Sequence, residues 1–242
     1  MISSIEYMKN LIAGSRNVVC LTGRAATYGT GCELYREEFE YELEDRYGRS
    51  LEEMFSASYY NNRTKDFFQF YRDEVLKKRG TPNDVYYTLA QMERDGKLGG
   101  IITRSIFSLA SVAGCQNVIN LHGSIYDNRC PHCNRQYDIS YLMDRQPVPW
   151  CEQCGAIVRP QIVLRGEMVD NIKITQAADV VSKADLLLII GSNMNSYIVN
   201  SCIKYFTGSK VLLLNWAPHY ADGKADCVCT GDIPSLIRQI YP

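Results

Sequence analysis

Four of the ten cysteines form two closely spaced pairs in the middle of the chain. Cys130 and Cys133 belong to C-P-H-C, and Cys151 and Cys154 belong to C-E-Q-C after a gap of 17 residues. Each C-x-x-C turn can direct two thiolates at one point, and two such turns complete a tetrahedral sulfur shell for Zn²⁺. Because a closed shell leaves no position for a substrate, the spacing predicts a structural zinc site. His132, inside the first pair, is an alternative ligand, although four sulfur atoms already suffice.

His122 is one of only three histidines, and it lies eight residues before the first cysteine pair. It follows the apolar run "NVINL", which places it at the carboxyl end of a predicted strand. Ligands of open α/β sheets bind at the carboxyl ends of the strands, and histidine exchanges a proton near neutral pH. A lone histidine after a strand is more often structural, so its position alone makes His122 only a candidate for a catalytic role.

The elements that must position these residues are predicted from short, continuous apolar runs. A continuous run, rather than an alternating one, is typical of a strand buried on both faces of a parallel sheet. Helix-like stretches with apolar residues at three- and four-residue spacing, such as "NDVYYTLAQMERDGK" and "IKITQAADVVSKA", lie between runs. The fold class is therefore α/β, with a Rossmann-like doubly wound parallel sheet. The runs lie at 17–23, 99–103, 117–123, 160–167, 184–192 and 210–216.

Two segments have a different composition from the predicted sheet, and they predict a small second domain. The segment 32–80 is helical and aromatic, with no buried-strand run, and is interpreted as a helical insertion. The segment 124–159 is the zinc-binding module. The Rossmann-like domain is assigned to 1–31, 81–123 and 160–242.

The charge balance of the 242 residues excludes some classes of partner. With 26 Lys and Arg against 27 Asp and Glu, the chain has no basic field that would hold a polyanion, so no direct nucleic-acid partner is expected. No segment approaches 18 uninterrupted apolar residues, and no signal peptide is recognised. We expect a soluble cytoplasmic protein with no membrane partner, in which metal binding explains the cysteines better than disulfides do.

The order of the motifs resembles that of the sirtuins, which are NAD-dependent protein deacylases. The resemblance runs from "VVCLTG" through "LHGS", both cysteine pairs, "RPQIVLRGE", "LLLIIGS" and "LLLNW" to "GDIPSLI". It implies NAD as a co-substrate, structural Zn²⁺, and an acylated protein or peptide substrate in the cleft between the two domains. The sirtuin histidine of the "LHG" motif is the general base, and it corresponds to His122.

The resemblance also implies a set of NAD-binding residues, which departs in places from the sirtuin pattern. Gly23-Arg24-Ala25 replaces Gly-Ala-Gly, Thr30-Gly31-Cys32-Glu33 replaces Ser-Gly-Ile-Pro, and Tyr35-Arg36 replaces Phe-Arg. Asn215 matches a ribose-contacting asparagine, with a strand-end turn as the alternative. The implied cofactor-binding residues are Gly23, Arg24, Ala25, Tyr35, Arg36, Arg104, Ser105, Gly191, Ser192, Asn193 and Asn215.

The largest departure is the sirtuin motif Thr-Gln-Asn-Ile-Asp, which becomes Thr103-Arg104-Ser105-Ile106-Phe107. The asparagine and aspartate that the resemblance places around the ribose and nicotinamide are absent. An unpaired buried polar group costs about 1–3 kcal/mol, so we expect weak activity. Arg165 also stands where sirtuins have phenylalanine before Gly-Glu.

These observations predict an NAD-dependent protein lysine deacylase, a deacetylase, of weak activity. One alternative is an ADP-ribosyl transferase or another NAD-cleaving enzyme. The other is a non-catalytic pseudoenzyme that binds a nucleotide or an acyl-lysine peptide. Ser105 and Phe107 favour the two alternatives, whereas His122 and the intact cysteine pairs favour the deacylase and the pseudoenzyme.

Overall fold

The structure is a computed structural model that describes residues 3–32, 34 and 37–242, apart from the side chain of residue 37. The strands of this part of the chain form a six-stranded parallel sheet and a three-stranded antiparallel sheet. They are β1 (Val18–Thr22), β2 (Leu98–Thr103), β3 (Val118–Asn120), β4 (Gly123–Arg129), β5 (Gln136–Tyr137), β6 (Arg159–Ile162), β7 (Leu186–Ile190), β8 (Lys210–Asn215) and β9 (Cys227–Thr230).

The described helices cover both faces of the large sheet and build the segment after β1. The α-helices are α1 (Ser4–Gly14), α2 (Glu37–Tyr47), α3 (Leu51–Met54), α4 (Ala57–Asn62), α5 (Thr64–Phe70), α6 (Asp84–Arg94), α7 (Leu109–Val112), α8 (Ile139–Asp144), α9 (Asn171–Ser182), α10 (Tyr197–Ile203) and α11 (Ile233–Ile240). Short 3-10 helices lie at Arg24–Thr27 and Asp222–Lys224, and a π-helix at Tyr71–Leu76. Within the described ranges, no helix has the length and apolar composition of a membrane span.

The large sheet has the strand order β3-β2-β1-β7-β8-β9, with every neighbouring pair parallel. All five residues of β1 are buried. Val18 and Cys20 pack into the hydrophobic cluster on one face, and Val19 and Leu21 pack into the cluster on the other. A strand buried on both faces has no polar side, which is why its sequence is continuously apolar. The predicted doubly wound α/β sheet is confirmed.

The predicted strand at 160–167 does not belong to the parallel sheet. Its first part lies in β6, which pairs antiparallel with β4 in a small sheet of order β5-β4-β6. In β6, Pro160 and Ile162 are buried while Gln161 is exposed, as in a sheet with one solvated face. A run this short does not specify its partner strand, and for that reason the prediction was wrong. The strand β9 was missed because it is short.

The helical segment between β1 and β2 contacts the cysteine-bearing module through a buried arginine. Arg72, in the π-helix, is 2 % exposed, and its guanidinium donates hydrogen bonds to the carbonyl oxygens of Pro147 at 2.9 Å and Leu142 at 3.5 Å. The preceding residue, Tyr71, stacks on Phe67, with ring centroids 5.6 Å apart. A buried charge is tolerated only with such partners, so this contact joins the two segments firmly.

Gly191, directly after β7, lets the loop after β1 approach the centre of the sheet. Its φ is +67°, and a Cβ built on it would lie 2.1 Å from the backbone nitrogen of Ala26. Any side chain would therefore push apart the loops that follow two adjacent strands. Gly96, with φ +70° and no atom within 4 Å of a built Cβ, has the same backbone conformation in open space.

We predict that Gly191→Ala lowers the free energy of unfolding by about 2–5 kcal/mol, as a left-handed alanine costs about 1–2 kcal/mol and overpacking about 1–3 kcal/mol. The matched control Gly96→Ala should lose only the backbone contribution, about 1–2 kcal/mol. Urea denaturation followed by circular dichroism measures both. Equal losses in the two variants would contradict the close approach at Gly191.

Candidate active site

The carboxyl ends of the parallel strands place the predicted site residues along one edge of the large sheet. Gly23 follows β1, Arg104 follows β2, and His122 lies between β3 and β4. Gly191 follows β7, and Asn215 ends β8. Parallel strands that are hydrogen-bonded in register end at one edge, so five separate parts of the sequence meet there.

Backbone hydrogen bonds fasten the loops after β1 and β7 to each other. The Gly23 N–H donates to Ile190 O at 2.8 Å, and the Ala25 N–H donates to Gly191 O at 2.9 Å. The Gly191 N–H in turn donates to Leu214 O at 2.8 Å. The first turn after β1 is therefore held by protein contacts, and the Ala25 N–H is already used within the fold.

An aromatic pair covers this turn and was missed by the sequence analysis. The Trp216 indole N–H donates to Ala25 O at 3.0 Å. The centroids of the Trp216 and Tyr28 rings lie 5.9 Å apart. The Asn215 side-chain oxygen accepts a hydrogen bond from the Trp216 N–H at 3.0 Å, a contact of the strand-end turn type. A tryptophan directly after the asparagine in "LLLNW" was the available signal.

The remaining predicted cofactor-binding residues are placed as follows. The Ser192 hydroxyl donates to the Ser196 hydroxyl at 2.7 Å, and the Asn193 side-chain oxygen accepts from the Asn195 N–H at 3.0 Å. Arg24 is exposed at the start of the 3-10 helix. Tyr35 and Arg36 lie outside the described residues.

Two buried polar atoms at this edge lack a hydrogen-bond partner among the described residues. They are the Thr22 hydroxyl at the end of β1 and the Asn120 side-chain oxygen at the end of β3. Since buried polar groups in folded proteins are nearly always paired, unpaired atoms at an edge of this kind fit a polar ligand. A dinucleotide is such a ligand.

His122 is held between the two sheets by its backbone and contacts a cation through its side chain. Its carbonyl accepts the Val163 N–H at 2.9 Å, which ties it to the residue after β6. Its Nε2 accepts a hydrogen bond from Arg104 Nε at 3.2 Å. Lys173 in α9 lies on the same side and donates to Asn120 O at 3.0 Å.

The surroundings of His122 lower its pKa from the ordinary value of 6.5 to about 4. Burial is the largest cause, because it disfavours the charged imidazolium, and the positive charges of Arg104 and Lys173 add to it. At neutral pH the imidazole is therefore uncharged. A neutral imidazole can accept a proton, which is the requirement for a general base.

His122 lines an open cleft of about 580 Å³ between α3 and the loop after β6. Leu51 and Phe55 supply apolar lining from the helical side. Arg165 at the cleft forms an ion pair with Glu52, and a pair of backbone hydrogen bonds joins Arg165 to the junction between α3 and α4. The cleft is therefore bridged by a contact that sequence analysis did not foresee.

Ser105 and Phe107, the sites of the largest departure from the sirtuin motif, are both engaged within the fold. The Phe107 side chain is fully buried in the hydrophobic cluster. The Ser105 hydroxyl accepts the Phe107 N–H at 3.4 Å, and the Ser105 N–H donates to the Thr103 hydroxyl at 3.1 Å. An aspartate at position 107 would become a buried charge. Replacing Phe107 by aspartate would therefore not by itself restore the polar contact that the sirtuin motif provides.

The four predicted zinc ligands converge in the small sheet's module, and their sulfur atoms all lie within 4.8 Å of one another. The Cys130 and Cys154 sulfurs are 3.3 Å apart, and those of Cys133 and Cys151 are 3.5 Å apart. A tetrahedron with Zn–S bonds of about 2.3 Å has sulfur–sulfur edges of about 3.8 Å, so the cluster fits structural Zn²⁺. His132 is exposed and is not part of the cluster.

Residues 13–198 match the Sir2 family. This chain belongs to that family, the sirtuins. A relative from Clostridium acetobutylicum, named an NAD-dependent protein deacetylase, is 32% identical over 242 residues, which are 99% of each chain. The match thus spans nearly the full length of both sequences.

Solved sirtuin structures have the same fold. A chain described under the mechanism and regulation of Sir2 enzymes superposes with a TM-score of 0.82 at 26% identity, over 100% of this chain and 97% of that one. A Sir2 chain bound to acetylated peptide superposes with a TM-score of 0.79 at 23% identity, over 98% and 96% of the two chains. At that identity the second likeness shows the fold alone.

We predict that this sirtuin binds one Zn²⁺ per chain on its four paired cysteines. Chelation should lower the melting temperature, because metal binding contributes to the folding free energy of the module. Cys151→Ser should lose the metal in elemental analysis, whereas Cys115→Ser, at a buried cysteine outside the cluster, should retain it. Full zinc content in Cys151→Ser would contradict the assignment.

We predict that His122 titrates with a pKa near 4 in an NMR titration of its ring protons. Because the unfolded histidine takes up a proton near pH 6.5 and the folded one does not, His122 makes the folded state less stable as pH falls from about 6.5 to 4. Above pH 6.5 this effect is absent. The free energy of unfolding of His122→Gln relative to wild type should therefore rise as the pH falls from about 6.5 to 4. A difference between the two proteins that stays constant with pH would contradict a lowered pKa.

Proposed function

We propose that this sirtuin is an NAD-dependent protein deacetylase in which His122 is the general base. The observation that carries the proposal is an imidazole kept neutral at the base of a cleft, at the edge of the sheet where the strand ends converge. The full-length similarity to a named deacetylase supports the same activity.

The acyl-lysine side chain of a protein or peptide would enter the cleft beside His122. Leu51, Phe55 and Val163 line it and would contact the aliphatic part of that side chain, while the Arg165–Glu52 pair lies at the surface. Burial of the lysine stem against these side chains is favourable by about 0.8 kcal/mol per CH₂ group. This supports an acylated protein or peptide as the partner.

NAD would bind along the edge from the loop after β1 to the end of β8. When bound it supplies a ribose carbon that can accept the acyl oxygen as nicotinamide leaves. The chain's own part is to position the backbone closely at Gly23 and Gly191, to offer the unpaired Thr22 and Asn120 oxygens, and to take a ribose hydroxyl proton at His122. Tyr35, Arg36, Ser192, Asn193 and Asn215 are proposed as further NAD-binding residues.

We further propose that NAD is held weakly at the altered motifs. The Ala25 N–H is used by Gly191 O, and Phe107 is buried in the core, so neither is free for the ligand. The helical insertion 32–80 and the zinc-binding module 124–159 are proposed to act as one small domain. The Arg72 contacts to Leu142 and Pro147 support that unit.

We predict that His122→Ala lowers the rate of deacetylation of an acetyl-lysine peptide by about 10²-fold to 10⁴-fold, the usual contribution of a general base. His132→Ala, at an exposed histidine outside the site, is the control and should keep the wild-type rate. The assay follows both nicotinamide release and the deacetylated peptide by mass spectrometry.

The two products separate the alternatives. Unchanged turnover in His122→Ala would reject its role as base. Nicotinamide release without peptide deacetylation would identify an NAD-cleaving or ADP-ribosyl-transferring enzyme instead. Calorimetric binding of ADP-ribose by a wild type without turnover would identify a pseudoenzyme.

A further inference from the structure

The side chain of Arg104 is hydrogen-bonded to Nε2 of His122, the nitrogen that would accept the proton. It follows β2, while His122 follows β3, and these strands are hydrogen-bonded neighbours, so the two positions are adjacent at the edge of the sheet. Arg104 Nε donates to His122 Nε2 at 3.2 Å. Its guanidinium also lies over the Tyr197 ring, 5.4 Å from the centroid, and this cation–π contact helps to hold the side chain in place.

The charges around this pair leave Arg104 without a carboxylate among the described residues. The acidic groups that line the same cleft are already engaged: Glu52 pairs with Arg165, and Glu167 pairs with Arg159 at 2.5 Å. From α9, Lys173 adds a second positive charge near the imidazole. Among the described residues, His122 therefore faces cations without a compensating acid.

We propose that Arg104 is a positioning residue that holds His122 in one neutral tautomer and weakens it as a base by hydrogen-bonding to Nε2. An arginine can only donate, so its contact requires the lone pair on Nε2 and places the imidazole proton on Nδ1. The glutamine of the sirtuin motif has both a donor and an acceptor and imposes no such restriction. The inference rests on the proposed function, because it concerns the role of His122 as base.

Two effects follow from this contact and act in the same direction. The hydrogen bond must be broken before Nε2 can accept a proton from a ribose hydroxyl. The positive charge of Arg104 also lowers the pKa of His122, after burial as the larger cause. A base whose pKa lies well below the working pH is a weaker proton acceptor. Arg104 therefore limits the rate that this fold can reach.

The test compares three variants by NMR and by kinetics at saturating NAD. Arg104→Met keeps the aliphatic stem and removes both the donor and the charge. Arg104→Lys keeps the charge and loses the planar fork of the guanidinium. Lys173→Met is the matched control, since it removes one charge near His122 and leaves the Nε2 contact in place.

In wild type we expect ¹⁵N shifts of His122 that show a protonated Nδ1 and a free-base Nε2. Arg104→Met should release that tautomer, raise the pKa of His122, and raise kcat at pH 8 by about threefold to thirtyfold, the worth of one charge-assisted hydrogen bond. Arg104→Lys should fall between wild type and Arg104→Met. Lys173→Met should raise the pKa, keep the tautomer, and gain less in kcat.

An unchanged tautomer and pKa in Arg104→Met, or a lower kcat at saturating NAD with an unchanged melting temperature, would overturn the proposal. If the wild type releases neither product, the proposed function fails, and the tautomer measurement still decides whether Arg104 acts on His122. A rise in KM for NAD at constant kcat would assign Arg104 to ligand binding and would also overturn it.

Discussion

Burial of the parallel sheet on both faces is the constraint on which the rest of the structure depends. Strands with apolar side chains on both sides offer polar groups only at their ends, so the chemistry is confined to the edge where the carboxyl ends meet. The close approach of the loop after β1 to Gly191 makes that edge compact. His122 lies at this edge because it closely follows β3. Since β4 of the small sheet begins at the next residue, His122 also lies between the two sheets.

The small sheet, whose module carries the cysteine cluster, contacts the edge of the large sheet at His122. The carbonyl of His122 is bonded to Val163, just after β6, and Arg165 reaches across to the helical segment. Zn²⁺ on the four cysteines would stabilise this module, because metal binding contributes to the folding free energy. The cysteine cluster, the helical segment and His122 are thus linked through β4 and β6.

Burial and the charges around His122 in the cleft lower its pKa. A histidine beside a carboxylate would become more basic, whereas this one lies beside Arg104 and Lys173 and stays neutral far below pH 7. Neutrality favours proton acceptance, but the low pKa limits its strength. Burial and the neighbouring cations therefore together set the low pKa of His122.

The sequence by itself determined the grouping of the four paired cysteines, the parallel core strands and the location of His122 after a strand. These features depend on local spacing and periodicity, which a linear sequence records directly. Only the tertiary structure decided that β6 pairs with β4, that Phe107 points into the core, and that Arg104 bonds to His122. Strand partners, burial and the proximity of charges depend on residues that are far apart in the chain. The pKa of His122 depends on burial and on nearby charges, so it too is decided by the tertiary structure.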